Sequence, residues 1–114
     1  MGVLPNSPKS MDNCIDECVK CARACDECFT ACMGEPDVKD RVQCIKTLND
    51  CAEICVQAVQ YMSRNSLHSK SLCEVCAEIC EACAKECDKF HDEHCKECAR
   101  ICRECAQACR EMAV

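Results

Sequence analysis

The chain has 114 residues, a formal net charge of -6 and charged residues at 30% of positions, which suits one compact acidic domain and excludes nucleic acid and anionic membrane as main partners. Nineteen cysteines stand beside only 2 glycines, 3 prolines and no tryptophan, unlike the loop-rich scaffolds of secreted disulfide proteins. Leucine, isoleucine, valine and phenylalanine together also number 19, below the roughly one-fifth share of an ordinary aliphatic core, so cysteine must supply interior volume.

Residues 1–10 read as a flexible lead-in, with Pro5 and Pro8 delaying helix formation and Ser10 or Asp12 available as an N-cap. The domain proper is expected over 11–114. No apolar run reaches signal-peptide or transmembrane length, so the cytosol is the expected compartment, and its reducing environment keeps thiols free for metal or redox chemistry. The odd cysteine total also leaves at least one thiol unpaired under any intramolecular disulfide scheme.

From Met11 the cysteines fall at 14, 18, 21, 25, 28 and 32, in alternating steps of four and three, until Gly34 and Pro36 stop the pattern. That rhythm predicts a helix. A second helix is predicted from about Asp37 to about Arg64, ending in the polar segment 63–66. Cys44, Cys51 and Cys55 share a stripe there with Leu48, Ala58 and Met62. Val38, Val42, Ile45, Ala52, Val56 and Val59 form a second stripe, read as packing between helices or between subunits.

The third segment carries Cys73, Cys76, Cys80, Cys83 and Cys87, and the fourth Cys95, Cys98, Cys102, Cys105 and Cys109. The resumption at Cys95 is one residue out of phase with the third rhythm, which predicts a tight turn through 90–94. Cys-Ala-charged-Ile-Cys recurs at 51–55, 76–80 and 98–102, as if one amphipathic unit were reused. Four helices of about 20 to 27 residues with short connections make an all-α, antiparallel, up-down-up-down four-helix bundle with a cysteine-lined lumen the expected fold.

Residues three and four apart on a helix share a face, so each stripe is a ladder of adjacent sulfurs. Soft thiolates select Cu(I), zinc or iron–sulfur clusters, and Cu(I) accepts low coordination numbers. Eight pairs at i,i+4 could each hold one Cu(I): Cys14/Cys18, Cys21/Cys25, Cys28/Cys32, Cys51/Cys55, Cys76/Cys80, Cys83/Cys87, Cys98/Cys102 and Cys105/Cys109. Zinc needs about four tetrahedral ligands, available only where stripes of different helices meet. Iron–sulfur ligation is disfavoured because no CxxCxxC run occurs. A purely structural cysteine core would be poorly filled compared with Leu or Ile, and i,i+4 disulfides fit disulfide geometry badly.

In this topology Met11, Met62 and Met112 gather at one end with His68 nearby, and Met33, His91 and His94 at the other. Methionines at helix ends also serve as gap fillers, and a histidine in a polar turn is often simply solvated. Convergence of Cys87, His91 and Cys95 on one ion is the metal-binding alternative, which makes the histidine end the expected mouth.

The four cysteine stripes, the segment CEVCAEICEACAKEC (73–87), the turn FHDEH (90–94) and HCKECARICRECAQACREM (94–112) resemble those of the bacterial cytosolic copper storage proteins over about residues 11–113. The resemblance implies a four-helix bundle, commonly a homotetramer, holding many Cu(I) ions per chain, with all nineteen cysteines as ligands and His91 and His94 at the mouth. It implies storage and buffering, not catalysis, with copper ions and a copper donor or acceptor protein as partners. A zinc or soft-metal buffer and a copper-delivery chaperone are the alternatives. A redox-active thiol protein is a third class, but oxidoreductase CxxC motifs belong at a helix N-terminus within an α/β fold, and strand patterns are absent here.

Overall fold

The computed structural model describes residues 2–5 and 10–114, so the expectation for Pro8 lies outside the described residues. Four α-helices follow one another: α1 (Asp12–Met33), α2 (Val42–Ser63), α3 (Ser69–Cys87) and α4 (Glu93–Ala113). A short 3-10 helix, Val38–Arg41, leads into α2, and no strand occurs among the described residues. The body measures 48 × 24 × 17 Å. This is the expected all-α bundle.

The helix boundaries follow local chemistry. The N-cap of α1 is Met11, without a side-chain cap, so neither Ser10 nor Asp12 fills the role expected of it; Asp12 already lies in the helix, where its charge suits the first turn. The chain leaves α1 through Gly34 and Pro36 as predicted, but 3-10 bonds take it into α2: Val38 N–H donates to Glu35 C=O at 3.2 Å and Asp40 N–H to Asp37 C=O at 2.9 Å. Helix α2 ends where Asn65 turns left-handed at φ 52° and Ser66 N–H reaches back to Tyr61 C=O at 2.9 Å. Asparagine tolerates that conformation better than most residues.

Between α3 and α4 the break spans 88–92, two residues earlier than the turn expected at 90–94. Asp92 is the reason: its Oδ1 accepts from Cys95 N–H at 3.1 Å and starts the helix at Glu93. His94 therefore sits in the first turn of α4 instead of in the loop.

Each helix packs against its two neighbours, α1 on α2 and α4, and α3 on α2 and α4. The diagonal pairs face each other across the lumen. All nineteen cysteines are buried and free, joined by alanines 22, 52, 58, 77, 84, 99, 106 and 108, small enough to let the helices approach. Leu48 and Met62 are the largest fully buried side chains. The second stripe of α2 divides: Ala52 is buried and Ile45 and Val59 pack against the core, while Val42 and Val56 are about half exposed. Cysteine occupies the centre of that helix's inner face, so an arc as wide as both stripes cannot all point inward. Outside, Arg110 pairs with Glu81 and Arg103 with Asp88, linking α3 to α4 with the modest energy typical of exposed ion pairs.

With so few large side chains inside, Leu48 carries an unusual share of the packing. Leu48→Ala is expected to destabilise the reduced, metal-free protein by about 3 kcal/mol, read from the midpoint of urea unfolding followed by helical circular dichroism.

Candidate metal centre

Because every cysteine stripe faces the lumen, the sulfurs form one column along the bundle axis. Near the methionine end Cys109 lies 3.6 Å from Cys14 and 3.7 Å from Cys18, and Cys18 lies 3.6 Å from Cys105. Further along, Cys55 meets Cys76, Cys80 and Cys105 at 3.7, 3.8 and 4.0 Å. Cys21 meets Cys51 and Cys102 at 3.9 and 3.8 Å, and Cys25 meets Cys102 at 3.7 Å. Toward the histidine end Cys98 reaches Cys25 at 3.9 Å, Cys44 reaches Cys87 at 3.9 Å, and Cys32 reaches Cys95 at 3.7 Å. Disulfide bonds are about 2.05 Å long, so these are thiol contacts spaced for a shared ion.

Of the eight pairs along single helices, Cys28/Cys32, Cys76/Cys80 and Cys98/Cys102 bring their sulfurs to 3.9–4.0 Å. The shortest contacts run between helices. Cys21, Cys55, Cys80 and Cys105 come from all four helices, yet their sulfurs lie within 4.8 Å of one another; Cys18, Cys76, Cys105 and Cys109 form a second such group, and Cys21, Cys25, Cys51 and Cys102 a third. Cys55 and Cys105 meet across the diagonal of the bundle. Thiols thus close a gap that the diagonal backbones leave open.

Protons are unevenly held along the column. Hydrogen bonds to neighbouring sulfurs, with burial adding to them, keep Cys25, Cys55 and Cys109 above the ordinary thiol range. Hydrogen bonding with Cys102 pulls Cys21 down, and with Cys105 pulls Cys76 down. Burial, then Asp92 and Cys32, push Cys95 up. A dry interior disfavours anionic sulfur until a cation arrives to balance it.

The two ends differ. At the methionine end Met11 and Met62 are buried and Met112 is partly buried, and the Cys73 thiol points at Met62 Sδ from 3.7 Å. His68 is exposed. At the other end Met33 and His91 are exposed, so the structure does not draw His91 in between Cys87 and Cys95. His94 is the histidine that joins the sulfurs: its Nδ1 lies 3.5 Å from Cys28, 3.6 Å from Cys95 and 4.0 Å from Cys32. Its Nε2 faces Asp92 Oδ1 at 3.0 Å and Glu35 Oε1 at 3.4 Å. Carboxylates behind a histidine fix the ring so that its other nitrogen faces a metal.

Sequence reading missed Arg41. Only 5% exposed, it donates from Nε to Asp37 at 2.7 Å, from Nη2 to Asp92 Oδ2 at 2.7 Å, and from Nη1 to the sulfurs of Cys32 and Cys95 at 3.5 and 3.6 Å. Its plane lies 4.3 Å from the centre of the Phe90 ring. Burial alone would lower its pKa, but Asp37 and Asp92 hold the guanidinium charged beyond its usual range. Burial likewise opposes ionisation of Asp92, yet Arg41 keeps that carboxyl down at about 2. The one clue in the sequence is Asp37 four residues before Arg41, a spacing that exposed helix pairs share.

Residues 7–114 match the family described as copper storage protein. An uncharacterized cysteine-rich protein of Bacillus subtilis, YhjQ, is 44% identical over 66 residues, 58% of this chain, and the match spans only 61% of that relative. The Cu(I)-bound copper storage protein BsCsp3 is 42% identical with a TM-score of 0.88, over 93% of this chain and 100% of that one. The cytosolic copper storage protein of Streptomyces lividans, solved with five coppers and with ten copper equivalents, is 40% identical with a TM-score of 0.87, over 90% of this chain and 91% and 83% of those chains.

Cys105 belongs to two of the four-sulfur groups, whereas Cys44 contacts Cys87 at the edge of the column. C105A is therefore expected to lower the number of soft ions retained after desalting by about two, and C44A by about one at most, both counted by metal analysis of anaerobically loaded protein.

Proposed function

The chain belongs to the copper storage protein family, and from that premise we propose that it stores and buffers many Cu(I) ions per chain along its column of buried thiolates. The observation that carries this reading is the continuity of the column: nineteen buried, free cysteines with sulfur contacts of 3.6–4.0 Å from one end of the lumen to the other. One Cu(I) per thiolate leaves no net charge, so dense loading adds no uncompensated charge to a dry interior. A divalent ion held by four thiolates leaves two negative charges there, which burial penalises. Cu(I) also accepts the two or three sulfurs that neighbouring rungs present, without a tetrahedral set at every ion.

All nineteen cysteines act as ligands in this reading, with His94 completing the set at its end and the exposed His91 beside it as a first point of capture. The folded unit is 11–114, with 1–10 as a lead-in. Retention in the cytosol is supported by the Streptomyces lividans relative, described as cytosolic; no helix among the described residues is long and apolar enough to cross a membrane. A homotetramer would cover the exposed Val42 and Val56 of α2, and a copper donor or acceptor protein would meet the bundle at an end. The role is storage, and catalysis forms no part of it.

A second reading has its own support at one place: Cys28, Cys32, His94 and Cys95 lie within 4.8 Å of one another, and three sulfurs with one imidazole suit tetrahedral zinc. Anaerobic titration of the reduced protein with Cu(I) against a chromogenic chelator separates the two. Retention of many ions per chain is the expected result; saturation at one or two, or stronger retention of zinc, would sink the storage reading.

Loading must also release protons, because each thiol that ligates becomes a thiolate. Retention against the same chelator is expected to weaken as pH falls from about 7.5 to about 5.5, with protons appearing in an unbuffered solution as Cu(I) is added.

A further inference from the structure

At the His94 end a cationic side chain already stands against two of the sulfurs that could hold an ion. The Nη1 of Arg41 stands 3.5 Å from Cys32 and 3.6 Å from Cys95, two of the three sulfurs that group with His94. A metal on those sulfurs would sit about 2.3 Å from each, which puts it and the guanidinium within a few ångströms in a pocket shielded from water. While these thiols are still protonated, an approaching Cu(I) and the guanidinium are two positive charges that repel at low dielectric. Arg41 thus obstructs the approach of an ion to Cys32 and Cys95.

The guanidinium has somewhere else to go. Its side chain is 6% exposed, but the carboxylates that hold it are progressively more open: Asp92 at 22%, Glu35 at 32% and Asp37 at 44%. Glu35 Oε2 lies 3.8 Å from Nη2, and Asp37 is bound through Nε, the nitrogen nearest the stem. A small outward shift of the guanidinium takes the Nη atoms off the sulfurs and leaves Glu35 and Asp37 at hand to balance the charge. Giving up the Nη2 bond to Asp92 and lifting off the Phe90 ring are the costs.

We propose that Arg41 is the stopper of this end of the column: in the metal-free bundle it holds the place among Cys32, Cys95 and Asp92 that an incoming Cu(I) takes, and it must swing outward before these sulfurs ligate. It sets the rate at which ions pass this end and is itself no ligand. As Cu(I) arrives, each thiol it binds loses its proton to water, and the guanidinium, moved off the sulfurs toward Glu35 and Asp37, stays close enough to offset the thiolate charge that one Cu(I) leaves unbalanced. The inference rests on the Cu(I)-storage reading, and the stopper and the storage role fail separately in the test below.

Reduced, metal-free R41M, R41K and F90L variants are compared with the wild type by stopped flow. Uptake is measured from a weak chromogenic Cu(I) complex and release to a strong chelator. R41M is expected to take up its first equivalents and release its last about tenfold faster, the factor implied by losing one hydrogen bond to a charged group. R41K, whose ammonium cannot span the sulfurs and both carboxylates, is expected between R41M and wild type. F90L keeps the guanidinium but removes the ring beneath it, and is expected to be about threefold faster. Alkylation of the metal-free protein, mapped by mass spectrometry, is expected to label Cys32 and Cys95 sooner in R41M.

Rates at or below wild type in folded R41M would overturn the stopper. If R41M loses its helical signal, F90L decides in its place, and unmoved F90L rates overturn it equally. The same titrations report capacity: few ions held by wild type would defeat the storage reading, whereas full capacity with unmoved rates would defeat only the stopper. The alkylation result bears on the stopper in either event.

Discussion

The structure depends on how negative charge on sulfur is balanced inside a bundle whose thiols are shielded from solvent. Nineteen thiols line one lumen, and each can bind a soft ion only as a thiolate, a form that burial penalises. The metal-free protein meets this constraint with protons held along the column, and at one end the Arg41 guanidinium, balanced by carboxylates, donates to two of the sulfurs. The loaded protein meets it with Cu(I). The same sulfur contacts that hydrogen-bond neighbouring thiols bring ligands close enough together for a shared ion, so in the storage reading one scaffold serves both the empty and the filled state.

That scaffold is assembled from small parts. Cysteine and alanine fill most of the interior, Leu48 and Met62 being the largest fully buried exceptions. Such a core buries less apolar surface than an aliphatic one of the same length, so the metal-free bundle draws less of its stability from the hydrophobic effect. Its helices are kept in place by the break at 88–92, the Asn65 turn and the Asp92 cap. In the storage reading, metal would add cross-helix links at groups such as Cys21, Cys55, Cys80 and Cys105, which come from all four helices, and binding free energy would become folding free energy.

The ends of the column are chemically unlike. Thioethers close one, where Met11 and Met62 are buried and Cys73 points at Met62 sulfur. The other carries an imidazole backed by two carboxylates and a guanidinium held by three. Asp92 ties these functions together: one oxygen caps α4 and faces His94, while the other binds Arg41. A single side chain therefore starts the helix, orients the histidine and anchors the cation.

Local spacing by itself determined the four helices, their inward cysteine faces and the choice of soft-metal chemistry, because three-and-four periodicity and thiol softness are properties of neighbouring residues. The exposed place of His91, the inward turn of His94 and the division of the α2 valines were beyond that reach. Each depends on a cap or a packing partner distant in the chain. Only the tertiary structure decided which sulfurs meet. Cys55 touches Cys105 across fifty positions, and Arg41 reaches Cys95 across fifty-four. The reason is physical: a stripe states which way a side chain faces, but its partner is set by the depth at which another helix packs, and that depth belongs to the whole bundle.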